Sequence, residues 1–450
     1  MKKTVLLIFC ILTAGKIIAQ ESKFDQLWSD PQIEERISSG IENNRKGWCT
    51  IWFRDSVNNP VKNVRIQVEQ QTHEFLFGAN IFMLNGYPNK EMNEKYEAAF
   101  IKIFNYASVP FYWRDIEPEP GKYRYEKNSP FIFRRPPPDA VISFCQKNGI
   151  TMKGHTLVWD SPVASIPDWA PKNGDSLSIL LRKRIESIAS RYKDVIRYWD
   201  VANEAFFRKV DVVMPKDYVF NAFKEASKNF PSETHLIYNE VPETFLPANY
   251  KGEYSSLYLL LQTLLLRNAK IDGIGLQFHL FEHVSPMKDV LEGKSFSPSS
   301  VFKVLDLYAQ FGIPMNISEI TFPSLPEGPE GLNIQAKLTR NFYRLFFSHR
   351  GLEAITWWNI PDGKSWGTEG NLHPGLLDEN LNPKPAFNVL DELVNKEWKT
   401  KLTLKSESSD MVKFKGFYGK YKLTITRNGK TIIKEINLIK AGDNTFIIKL

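Results

Sequence analysis

Between about residues 72 and 396 the chain repeats one pattern: a short apolar run, then an amphipathic stretch of helical period. The apolar runs read "EFLFGANI", "FNYASVPFYW", "ITMKGHTLVW", "IRYWDVANEA", "THLIYNE", "IDGIGLQFHL", "IPMNISEI" and "LEAITWWNI". Runs this continuous suit strands covered on both faces, as in a parallel sheet. Helices are expected between them at 92–104, 139–148, 177–192, 218–228, 255–268, 300–311 and 334–348, with a last one at 386–394. Eight strand-then-helix units predict an α/β fold of the (β/α)8 TIM-barrel type, whereas a doubly wound sheet would take six and leave two over.

The flanks differ. Residues 21–46 read as helical, with Ser29 as cap and Pro31 in the first turn. "WCTIWFR" and "VKNVRIQVEQ" alternate with period two around "DSVNNP" and read as a hairpin. At the far end "YKLTITRNGKTIIKEINL" turns at Asn428-Gly429, and "NTFIIKL" alternates again. The expected organisation is an export signal at 1–20, a helix and strand segment at 21–71, the barrel at 72–396 and a β segment at 397–450.

The export signal is read from Lys2-Lys3, an apolar run too short to span a bilayer, and a small-residue end near Ala19. Cys10 lies inside that run without small residues before it, so no lipid anchor is assigned. The expected location is periplasmic or secreted, without a membrane span. Of the formal charge of +7, Lys2, Lys3 and Lys16 belong to the signal, and the remainder is spread along the chain, which argues against nucleic-acid binding. Cys49 and Cys145 remain after processing, which excludes a disulfide scaffold and a cysteine-held metal and leaves one bridge open. A monomer is expected.

In a barrel of this type chemistry sits at the C-terminal ends of the strands. The polar residues that interrupt the apolar runs there are His155, Asp200, Asn203, Glu204, Asn239, Glu240, Gln277, His279, Glu319 and Asp362, and they are expected to converge on one mouth. Glu204 ends the fourth strand and Glu319 the seventh, so they oppose one another. Two opposed carboxylates are the minimal equipment for glycoside hydrolysis, one protonating the leaving oxygen and the other attacking or directing water. A separation of about 5–5.5 Å would mean retention of configuration. Asn203 would face a sugar hydroxyl, and His279 would hold Glu319 as the anion. Trp159, Trp358 and Trp366 offer flat faces for a sugar ring. Asp200 is expected to make a buried structural hydrogen bond, and Trp357 to pack. His279 and His283 in "HLFEH" have no evident third ligand, so neither a metal nor another cofactor is assigned. "FRRPPPD" reads as a stiff loop that can border the cleft.

"WDVANEA" resembles the acid/base motif of glycoside hydrolase family 10. "GHTLVW", "GIGLQFH", "NISEI" and "ITWWNIPDGKSW" followed by "LLDENLNPKPA" are similar to its other segments, in the right order. The resemblance implies a retaining β-1,4-xylanase barrel that needs no metal and acts on plant polysaccharide or oligosaccharide. It implies Glu204 as general acid/base and Glu319 as nucleophile, with His155, Trp159, Asn203, Gln277 and His279 around the reacting sugar and Trp358 and Trp366 as aromatic walls.

The sequence departs from that pattern at Ser108 and Val109, where the family has a Glu-Asn pair, and at Tyr112, where it has a Lys. "VWDSP" carries Asp160 and Pro162 in place of the family's His and Gln, and Val241 replaces a Tyr. Several of these positions grip the second sugar on the non-reducing side in the family. The same chemistry on another plant β-glycoside or in exo mode is therefore one rival, and a carbohydrate-binding barrel without turnover is a second.

Overall fold

The computed structural model describes residues 22–206, 213–281 and 286–450; the expected export signal and His283 lie outside them. Eight parallel strands close into a barrel in chain order: β1 (Leu76–Asn80), β2 (Tyr106–Pro110), β3 (Thr151–Trp159), β4 (Tyr198–Asn203), β5 (His235–Glu240), β6 (Gly273–His279), β7 (Met315–Thr321) and β8 (Leu352–Trp357). Ala354 of β8 pairs with Leu76 of β1, so the sheet has no free edge. β2 and β7 are buried at every residue, as strands must be when helices cover them outside and side chains fill the lumen.

The expected helices form because their starts are capped and one face is apolar. Asn89, Asn173 and Ser297 accept from the backbone N–H groups of Met92, Ser176 and Ser300 at three of these starts. In Gly174–Tyr192, Leu177, Leu181, Ile185, Ile188 and Tyr192 share the buried face. The helix expected from 334 begins earlier, at Pro329, where proline suits the first helical position.

The flanks correct two expectations. Residues 23–44 form two helices, Lys23–Trp28 and Pro31–Asn44, and Asp30 caps the second while Ser29 closes the first. The strands at Lys46–Arg54 and Arg65–Gln70 do not form a hairpin. The first pairs with Met411–Phe417 and Thr445–Lys449, the second with Lys401–Lys405 and Gly419–Arg427. Both strands bury alternate residues, and Ile51, Phe53, Ile66 and Val68 meet in one cluster. Two strands that each need cover on one face satisfy it in opposed sheets rather than edge to edge. The terminal segments therefore build one β unit together. The Gly419–Arg427 and Lys430–Leu438 pair forms the expected hairpin, with both Asn428 and Gly429 at positive φ.

This β unit meets the barrel at the end opposite the mouth. Phe347 stacks on Trp398 with centroids 4.1 Å apart and lies 6.1 Å from Phe417. A cavity of about 810 Å³ lies there, lined by Arg45, His73, Glu74, Tyr198, Glu353 and Lys440 among others. None of them belongs to the mouth. Cys49 and Cys145 are free, buried thiols, Cys49 in the β-unit core and Cys145 in the barrel core.

Register at β3 and β4 depends on one close approach. A Cβ on Gly154 would lie 2.2 Å from the Trp199 ring, so only glycine lets the two strands pair with His155 beside Asp200. Gly154→Ala is expected to destabilise the protein by about 1–3 kcal/mol through overpacking, read by denaturant unfolding; unchanged stability would mean that the ring is free to move.

Candidate active site

The mouth divides into two halves along the strand order. β4 to β7 deliver the carboxylates and their hydrogen-bond partners, while β8 and β1 to β3 deliver aromatic rings and His155. Bulges interrupt the ladders between His155 and Val158, Asp200 and Ala202, and Leu276 and Gln277. Each lies just before a cluster of mouth residues, where an extra residue re-aims the side chains that follow.

Asn203 and Glu204 are adjacent and would point to opposite faces of a regular strand. Glu204 instead adopts φ 51°, a left-handed conformation that strains a non-glycine residue by about 1–3 kcal/mol. Its N–H donates to Asn239 O at 3.0 Å, which holds the turn against β5. Its carboxylate accepts from Gln277 Nε2 at 2.9 Å. Across the mouth, Glu319 Oε1 accepts from Asn239 Nδ2 at 3.0 Å, and Asn239 Nδ2 also donates to Asn203 Oδ1 at 2.7 Å. His279 Nε2 lies 3.4 Å from Glu319 Oε2 and 3.2 Å from Gln277 Oε1, while its Nδ1 is 2.8 Å from Thr321 Oγ1. Side chains thus connect Glu204 to Glu319 through Gln277 and His279.

Burial raises both carboxyls. Glu319, 3% exposed, is lifted to about 7 by desolvation, against the pull of His155, Lys153 and the Asn239 amide. Glu204 keeps part of its surface open to the mouth, yet its enclosed carboxyl is raised by desolvation and then by the Glu319 charge, with Gln277 opposing. Glu240, the last residue of β5, is lifted to about 8 by desolvation although Tyr238 donates to it at 2.9 Å.

Beneath the mouth Asp200 is fully buried. Lys153 Nζ stands 3.0 Å and His155 Nδ1 2.8 Å from its Oδ2. Desolvation pushes its carboxyl up, but Lys153 and His155 outweigh that and hold it below the usual range. The other face of the His155 imidazole meets rings: Trp358 at 5.2 Å and Tyr112 at 5.4 Å, both edge-on. Phe82, Tyr112 and Trp358 form a separate small cluster against which Trp159 packs, and Trp366 stands 50% exposed beyond it.

The structure therefore brings together His155, Trp159, Asn203, Glu204, Gln277, His279, Glu319 and Trp358, with Trp366 at the rim. Asp200 makes the structural contacts expected of it, and Trp357 is buried, its indole donating to Asn359 O. Asp362 is corrected: it does not join the mouth but is clamped by Lys384 Nζ at 2.9 Å and the Gly375 N–H at 2.6 Å, folding back the loop after β8. His279, expected to hold Glu319 as the anion, stands beside its Oε2, and Asn239 adds a hydrogen bond to its Oε1. Lys153 escaped sequence reasoning, although its place two residues before His155 puts it on the same face of the strand. "FRRPPPD", expected as a stiff loop able to border the cleft, turns Arg134 and Arg135 toward Asn359 and Tyr112, which its sequence does not indicate.

A closed (β/α)8 barrel with two interacting carboxylates across its mouth defines a class, the barrel glycoside hydrolases. The chain belongs to glycosyl hydrolase family 10, whose model matches residues 93–393. It is 26% identical over 418 residues to the anti-sigma-I factor RsgI6 of Acetivibrio thermocellus, covering 90% of this chain but 47% of that protein, about half its length. It is 28% identical over 309 residues to endo-1,4-beta-xylanase A of Caldicellulosiruptor saccharolyticus, covering 61% of this chain and 81% of the relative. The crystal structure of xylanase 10B from Thermotoga maritima shares the fold at a TM-score of 0.56 and 24% identity, covering 72% of this chain and 96% of that one.

The raised carboxyls make stability depend on pH. Glu319 and Glu240 titrate at about 7 and about 8 in the folded protein against 4.5 when unperturbed, so the folded state binds more protons than the unfolded one between those values. Stability must then fall as pH rises through that window. Thermal unfolding from pH 4.5 to 8 is expected to show this fall, and Glu240→Gln to flatten it; a slope unchanged by Glu240→Gln would contradict the assignment.

Proposed function

We propose that the protein is a retaining β-glycoside hydrolase of xylanase type, acting on β-1,4-xylosidic bonds in xylan or its oligosaccharides. The observation that carries this reading is the Glu204–Gln277–His279–Glu319 connection across the mouth. Two of its relatives are named endo-1,4-beta-xylanase A and endo-1,4-beta-xylanase B, which favours the substrate.

The Glu319 charge acts on Glu204, so the two carboxyls titrate as a pair rather than independently. The surroundings direct the proton. Desolvation lifts Glu319 to about 7, but His155, Lys153 and the Asn239 amide all favour its anion, whereas at Glu204 the Glu319 charge adds to the rise. Glu204 is accordingly the acid that protonates the glycosidic oxygen, and Glu319 the nucleophile that attacks the anomeric carbon. The bond from that carbon to the leaving oxygen breaks as the bond to Glu319 Oε forms, and the Glu204 proton goes to the departing alcohol. In the second half Glu204, now ionised, takes a proton from water as the water displaces Glu319. His155 and the Tyr112, Trp159 and Trp358 rings form the wall on which the reacting sugar lies. Asn203 meets one of its hydroxyls.

Glu319→Ala is expected to remove hydrolysis of xylo-oligosaccharides by several orders of magnitude, and full activity in this variant would rule out the nucleophile assignment. Glu204→Ala is expected to slow substrates with poor leaving groups by about 10²–10⁴-fold and activated aryl glycosides far less. It should also remove the basic limb of the pH–rate profile on the aryl substrate. Equal losses on both substrate types, or a basic limb that survives, would contradict the acid role. A binding barrel without turnover would show no hydrolysis before any substitution.

A further inference from the structure

The loop after β2 places two arginines over the aromatic half of the mouth. Arg124 fixes this loop by donating to three of its carbonyls, Pro130 O at 2.8 Å, Asp115 O at 2.9 Å and Arg135 O at 2.9 Å. Arg135 lies flat on Tyr112, 3.8 Å from the ring centre, and pairs with Asp115 at 2.8 Å. Arg134, at φ 60°, reaches across to the loop after β8, donating to Asn359 Oδ1 at 3.2 Å and to the Lys364 carbonyl. The guanidinium carbons of Arg134 and Arg135 lie 5.4 and 5.6 Å from the centre of the Phe82 ring, which packs on Tyr112 and Trp358.

The charges in this corner do not cancel. Asp115 neutralises Arg135, but among the described residues no carboxylate forms an ion pair with Arg134. Glu369 acts on it from farther away and is itself held by Asn359 Nδ2 at 2.8 Å. Arg134 is 3% exposed, and its Nε is buried without a hydrogen-bond partner. Burial, and then Arg135, lower it to about 10, which leaves it a cation at neutral pH. An enclosed cation without a counter-ion is destabilising, and a neutral sugar offers only hydroxyls to offset that. A planar carboxylate matches the guanidinium fork and restores the charge balance. Arg135 is itself 7% exposed, and its guanidinium carbon lies 5.7 Å from the centre of the half-exposed Trp366 ring at the rim.

We propose that Arg134 and Arg135 form a specificity-determining pair for a carboxylate-bearing sugar, so that the substrate is a β-glycoside carrying a uronic acid on the aromatic half of the mouth. This rests on the hydrolase reading for the substrate's place in the reaction, but the recognition can be measured without turnover. The experiment is calorimetric titration of the full chain carrying Glu319→Gln with a uronic-acid-substituted xylo-oligosaccharide and with its carboxyl-reduced counterpart. The acidic ligand is expected to bind at least about tenfold more tightly. Adding Arg134→Gln should bring the ratio to about one, and Arg134→Lys should keep part of the preference. Equal affinities with Arg134 intact, or no binding of the acidic ligand, overturn the proposal, and this comparison needs no variant of the loop to fold. Loss of hydrolysis in the wild type would count against the proposed function alone.

Discussion

Closing a parallel sheet on itself decides most of what this molecule can do. Once Ala354 pairs with Leu76, every strand must point the same way around one axis, and all eight C-terminal ends arrive at a single mouth. Residues far apart in the chain, Glu204 and Glu319 among them, then need only local adjustments to meet. Three bulges and the left-handed turn at Glu204 are those adjustments. Their strain sits at the one place where side-chain direction matters more than regular pairing.

The same convergence creates an electrostatic problem beneath and within the mouth. Asp200 is solved locally, by Lys153 and His155. Breaking such a buried group by removing one partner typically costs about 3–5 kcal/mol, so the cluster also pins β3 to β4 beneath the imidazole that faces the aromatic cluster. Glu204 and Glu319 are left less fully compensated, with amide donors and a histidine but, among the described residues, no directly paired Lys or Arg. Raised proton affinity at Glu204 is what the proposed acid requires, and at Glu319 the rise is opposed by His155, Lys153 and the Asn239 amide. The arginine corner repeats the theme with opposite sign.

How far the sequence revealed this follows from range. The eight strands and their helices were legible because their periods are local, and the polar residues at strand ends were legible because the fold class says where those ends go. The hairpin expected from "WCTIWFR" and "VKNVRIQVEQ" fails because each strand finds its partners more than three hundred residues away, at 401–449. Asp362 has the strand-end position of a mouth residue, and only its contact with Lys384, 22 residues on, draws it into the loop. Arg134 and Arg135 were hidden because nothing in "FRRPPPD" tells which side chains turn inward; only the contacts with Tyr112, Phe82 and Asn359 do.

The account rests on Glu319 forming a covalent bond to sugar. Incubation with an activated 2-fluoro xylo-oligoside, which slows the second displacement, followed by peptide mass mapping, tests this directly. The account predicts one glycosyl adduct, on the peptide that contains Glu319, and a first-released product of unchanged anomeric configuration. No adduct together with an inverted product, or an adduct on another carboxylate, would contradict it.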